Sequence, residues 1–162
     1  ALSAGKILQV VSTTTTASDS VSVATTAWGN LGPTRAITPS ATSSKIWVTG
    51  AITVCTSLTN MNCDCRLVYD SNTVITGATG DAASSRKRGT TSMQHTHSED
   101  NAIITINYLH SPSTTSEITY KLQFGHNSSS TRTIYVNRTG GDSDDAKIGR
   151  YTSTLTCMEI GA

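Results

Sequence analysis

The chain is predicted to be all-β, an antiparallel β-sandwich or jelly roll of about ten strands in a single domain over 1–162. Three observations predict it. Ser and Thr together make up roughly a third of the 162 residues, far above ordinary usage, and β-branched Thr suits the exposed face of a strand. Apolar residues alternate with a period of two along nearly the whole chain, which argues against disorder and against helix. Turn clusters of Gly, Pro, Asn and Ser interrupt that alternation at regular spacing.

The elements follow in order. Residues 6–11 open with a strand, ahead of a Thr run. Residues 20–28 form a second, with Val21 and Val23 alternating. Gly29 to Pro33 is a turn cluster, 35–38 a short strand, and 40–44 a polar loop after Pro39. Residues 45–55 are the clearest strand: Ile46, Val48, Gly50, Ile52 and Val54 face one way, and Trp47, Thr49, Ala51, Thr53 and Cys55 the other. A loop over 57–62 leads to a returning strand at 63–69. Asp70-Ser71-Asn72 turns into a short strand at 73–76, and 77–89 reads as a long surface loop. Residues 102–109 are apolar on both faces (Ile103, Ile104, Ile106, Tyr108, Leu109), which predicts a central strand covered by a second sheet or another subunit. After the Ser111-Pro112-Ser113 turn, 117–126 point Ile118, Tyr120, Leu122 and Phe124 inward. A strand at 131–137, an acidic loop at 140–149 and a closing strand at 151–160 complete the chain. A closing strand of this kind is expected to sit centrally in its sheet.

Composition excludes several functions. A chain of this length is normally one domain. With 14% charged residues and a net charge of +1, it lacks the basic footprint of nonspecific nucleic-acid binding. The basic cluster Arg86, Lys87, Arg88 reads as a solvated loop. No apolar run approaches the roughly 18 residues of a membrane helix, and no signal-peptide pattern is present. The start at Ala1 without Met reads as a processed chain or a fragment.

Cys63-Asp64-Cys65 is not a CxxC, so zinc-ribbon and thioredoxin readings fail. On a strand both side chains share a face. Either Cys55 bridges Cys63 or Cys65, or all four cysteines, with Cys157, are small buried apolar residues. No catalytic residue and no cofactor-binding residue is predicted, because no GxSxG elbow, catalytic histidine context or carboxylate pair is present. The acidic turn Asp142-Ser143-Asp144-Asp145 lacks the Gly and Glu of a calcium loop. Asn127-Ser128-Ser129 and Asn137-Arg138-Thr139 match the glycosylation sequon.

His95-Thr96-His97 is the most specific local signal. In an extended segment the two imidazoles point the same way. One chain offers two ligands, and a three-fold axis would offer six, an octahedral all-nitrogen cage for iron or another transition metal. The competing reading is two solvent-facing loop histidines, in keeping with the polar Ser98-Glu99-Asp100.

Several stretches, in order along the chain, resemble the C-terminal domains of tail-fibre and other virion structural proteins of marine tailed phages, cyanophages especially. They are GKILQVV at 5–11, ITPSATSSKI at 37–46, LHSPSTT at 109–115, TYKLQ at 119–123, YVNRT at 135–139 and STLTCMEI at 153–160. Residues 55–65 and 93–100 depart from that pattern. The resemblance implies a non-enzymatic virion or extracellular domain, a homotrimer or higher oligomer, that displays loops to a host surface. Its partners would be itself, other virion proteins and a host cell-surface glycan, without nucleic acid or membrane insertion. Metal at His-x-His pairs on a trimer axis, here His95 and His97, is a further implication; no other cofactor is expected. A self-assembling decoration or filament subunit is the alternative, and a cellular adhesin or cytokine-like jelly roll a third.

Overall fold

Strand β5 (Lys45–Thr56) organises the first sheet. One edge bonds β9 (Ala102–His110) along nine positions, from Ile46↔His110 to Val54↔Ala102. The other edge is shared: residues 45–51 pair with β12 (Ser153–Ile160), and residues 54–56 pair with β11 (Arg132–Val136). Beyond these lie β1 (Ile7–Thr15) against β12, and β2 (Asp19–Val23) against β11. In the second sheet β10 (Ile118–His126) pairs with β6 (Met61–Tyr69) on one edge, and with β3 (Gly29–Asn30) and β4 (Arg35–Ile37) on the other. The far edge of β6 carries β7 (Thr73–Val74) and β8 (Thr91–His95). All pairs are antiparallel, and each sheet is four strands wide. The computed structural model describes residues 5–146 and 148–161; positions 1–4, 147 and 162 of the predicted domain lie outside the described residues. Within those limits it contains twelve strands and one 3-10 turn, Thr76–Ala78.

The β-sandwich is therefore as predicted, and period-two alternation built it. Ile118, Tyr120, Leu122 and Phe124 are all buried, as are Ile46, Val48, Ile52 and Val54 on the facing sheet. The alternation on β5 ends after Ile52: Thr53, Cys55 and Thr56 are buried too, because the chain around residues 98, 140 and 152 folds over that end. The closing strand β12 is internal, between β1 and β5.

Three expectations need correction. Strand β9 is not central: its described pairing is to β5 alone, and Ile103 (64%) and Leu109 (47%) remain exposed on its outer side. The opening strand does not stop at residue 11: the Thr run forms the second half of β1 and continues the ladder to Thr15↔Ser153. The segment 20–28 is not one strand, since it leaves the sheet after Val23 and re-enters the other at Gly29. All four cysteines are free and buried, so no disulfide links Cys55 to Cys63 or Cys65. Burial pushes each thiol upward, Cys157 to about 12.

One buried acid holds the end of the sandwich where β1 meets β12. Glu159, 1% exposed, accepts from the Ser40 amide (2.7 Å) and hydroxyl (2.6 Å) at one oxygen and from Gln9 Nε2 (2.7 Å) at the other. Burial would raise the carboxyl, but the hydrogen bonds from Ser40 and Gln9 outweigh it and hold it at about 2. A carboxyl depressed in the folded state stabilises above its unfolded pKa of about 4.5 and loses that contribution as pH falls towards 2. Glu159→Gln is expected to cost roughly 1–3 kcal/mol at neutral pH and to flatten the fall in stability between those two pH values. Urea unfolding of both proteins across that window measures this; parallel profiles would contradict it.

Candidate functional site

Two surfaces stand out, at opposite ends of the first sheet. At the end where β5 begins, register carries a row of apolar side chains across the outer face: Leu109 of β9, Trp47 of β5, Met158 of β12 and Val10 of β1. Val10 (56%), Leu109 (47%) and Trp47 (38%) are exposed, and Ile7 and Leu8 extend the band. The next rows inward are polar, Asn107-Thr49-Thr156-Ser12 and then Thr105-Ala51-Thr154-Thr14. Their hydroxyls pair across strands, Ser12 with Thr156 and Thr14 with Thr154, both at 2.9 Å. The Trp47 indole donates to Asn107 Oδ1 at 2.5 Å. The face is thus pre-ordered, with its side chains bonded to one another.

About six residues further along β5, roughly 20 Å, a cleft of about 570 Å³ opens between the 96–101 loop, β5 and Tyr151, which precedes β12. His95 ends β8, and its Nδ1 lies 3.2 Å from the Asp100 carbonyl. Thr96 Oγ1 donates to Asp100 Oδ2 at 2.6 Å, and the Gly140 amide donates to the Ser98 carbonyl at 2.9 Å. The loop is therefore tied at both ends. Two buried polar atoms here have no hydrogen-bond partner, His95 Nε2 and Asn101 Oδ1. Tyr151 and Ile103 form apolar walls, and Glu99 and Asp100 supply carboxylates.

The sequence-predicted site residues do not share one environment. His95 points inward from the pleat and is 1% exposed. The strand ends there, so His97 sits in a turn, exposed, its Nδ1 accepting from the Glu99 amide at 3.3 Å. Within one chain the two rings thus do not project together, because the extended geometry that would align them stops at His95. Among the described residues no group of three or more His, Cys, Asp or Glu side chains is placed to hold a metal ion. Burial lowers the His95 pKa, against the opposing hydrogen bond to Asp100.

Other motifs resolve into structure. Asn137 of the second sequon is fully buried, its amide nitrogen donating to the Thr15 and Ala17 carbonyls, both at 2.9 Å. Asn127 is exposed, and its Oδ1 accepts from the Asn62 amide. In the acidic turn Asp142 pairs with Arg138 at 3.5 Å and with Arg150. Of the basic cluster, Arg86 and Arg88 are exposed as expected, whereas Lys87 lies over the Trp28 ring beside Arg66 and donates to the His126 carbonyl at 2.6 Å. The cleft was not legible as a site in the sequence. It draws on residues 53, 94–96, 99–103 and 151, which no motif joins.

No protein-family model and no curated protein matches this chain. Among solved structures, it is similar to the crystal structure of the infectious bursal disease virus VP2 subviral particle, at a TM-score of 0.40 and 15% identity. The alignment covers 95% of this chain and 37% of that one. At that level the likeness carries no argument about role. Among the described residues no helix is long and apolar enough to cross a membrane.

Proposed function

We propose that this chain is a non-enzymatic structural domain of a virion, a tail-fibre or receptor-binding domain, that assembles with copies of itself through the outer face of its first sheet. The observation that carries this is the apolar row Leu109-Trp47-Met158-Val10, which runs across all four strands of a pre-ordered face. A contiguous exposed apolar patch rimmed by polar side chains is characteristic of an interaction surface. The alternation of sheets along the chain, with β5, β9 and β12 in one and β6 and β10 in the other, supports the jelly-roll reading. The stretches that resemble marine phage fibre domains support the virion assignment. With assembly at one end of the sheet, the 96–101 loop at the other is free to face a host surface.

Light scattering at micromolar concentration is expected to give a trimer or larger. Val10→Ser combined with Leu109→Ser should dissociate it while leaving the monomer folded, because both side chains are exposed in the single chain. A wild-type monomer would overturn the proposal. Ordered self-assembly without attachment to any host cell would favour a decoration or filament subunit instead.

A further inference from the structure

We infer that the cleft between the 96–101 loop and Tyr151 is a binding site for a neutral or amino-bearing saccharide. This rests on the surface-recognition reading above and gives that reading a location. The Asp100 carbonyl can only accept, so His95 Nδ1 carries the proton and, in the neutral ring, Nε2 is a bare lone pair. Asn101 Oδ1 is likewise an acceptor. Both unpartnered buried atoms at this cleft are therefore acceptors, and the two carboxylates beside them, Glu99 and Asp100, are acceptors as well. These two atoms are closed to solvent, so the acceptors open to a ligand are the carboxylates of the exposed Glu99 and Asp100, and a ligand that meets them is rich in donors.

Three features narrow its class. Among the described residues no Lys or Arg lines the cleft, and phosphates, sulfates and acidic sugars would meet the Glu99 and Asp100 carboxylates at a like-charge cost. A lone cation fits poorly, since no three-ligand cluster exists among the described residues and the volume of about 570 Å³ lies in the range of organic-ligand pockets. The walls are not purely polar: Tyr151 (40% exposed) and Ile103 (64%) present apolar surface beside the acceptors. A ligand with hydroxyl or ammonium donors on its rim and C–H groups on its faces matches both. Gly149 contributes by lacking a side chain, since a Cβ there would collide with the Tyr151 ring.

The test is a titration of isotope-labelled full-length protein, followed by NMR, with the methyl glycosides of glucosamine, N-acetylglucosamine, galactose and mannose, and with N-acetylneuraminic acid as the anionic probe. At least one neutral or amino sugar is expected to shift the Asn101 side-chain amide and the His95 ring saturably in the millimolar range. Glu99→Gln with Asp100→Asn, which keeps shape and removes charge, should weaken that binding about tenfold, as for one lost charged hydrogen bond. Unchanged resonances with all four neutral and amino sugars would overturn the inference. So would equal binding of the anionic probe. Assembly by light scattering is read separately. An oligomer that binds no sugar removes this site alone, and a sugar-binding monomer removes the assembly proposal alone.

Discussion

Phe124→Ala is expected to lower the unfolding free energy by about 3–5 kcal/mol. Phe124 is the sole phenylalanine of the chain and is 0% exposed. It stands in β10 with Cys65 opposite it on β6 and Gly29 opposite on β3. Strand partners on both sides limit collapse into the space a truncated ring would leave, and the cost of such a cavity grows with its residual volume. Only 5% of the residues are aromatic, so few other large rings share the core. Urea denaturation with a common slope would read the change directly. A loss below about 1 kcal/mol would place this face in solvent.

Asn137→Ala is expected to destabilise by a similar amount, about 3–5 kcal/mol. Four chain segments converge on this residue. Its amide nitrogen donates to the Thr15 and Ala17 carbonyls, its side-chain oxygen accepts from Ser153 Oγ at 2.6 Å, and its backbone N–H donates to the Thr53 carbonyl at 3.1 Å. Its own carbonyl takes the Tyr151 amide at 3.0 Å, which sets the wall of the cleft. Alanine would strand two carbonyls and a buried hydroxyl, each worth roughly 1–3 kcal/mol when orphaned. It would also have to hold a φ of 62°, a left-handed conformation that Asn tolerates and Ala does not. Asn137→Gly separates the two effects: it should recover only the backbone share, about 1 kcal/mol. Thermal unfolding of both variants checks this, and an Asn137→Gly variant as stable as wild type would contradict the side-chain clamp.

The residues show why some of this was legible and some not. On β10 and β5 each second side chain is apolar, and burying one face of a pleated strand enforces that rhythm, so the rhythm discloses strand, face and core together. Strand β8 escaped because Thr91, Ser92, Gln94 and His95 around Met93 carry almost no apolar signal. It forms because it completes the far edge of β6. In β9 an apolar outer face has two causes that look alike in one dimension, a covering sheet or a surface left for a partner, and here the outer face is open in the single chain. Asn137 matched a surface sequon yet lies at the centre of a polar clamp, and Glu159 read as an ordinary strand acid although three donors enclose it.

Local alternation was enough to specify the fold class and the inward face of each long strand, since each follows from the pattern along one segment, and the internal place of the closing strand was expected from the fold class. The rest came from how distant segments meet. Folding put Leu109, Trp47, Met158 and Val10 in one row, and it brought Thr53, His95, Asn101 and Tyr151 around one cleft. Both depend on register between strands up to some 150 residues apart in the chain. Such register is set by the sum of many weak backbone and side-chain pairings across the sheet, a sum that no single stretch of residues contains.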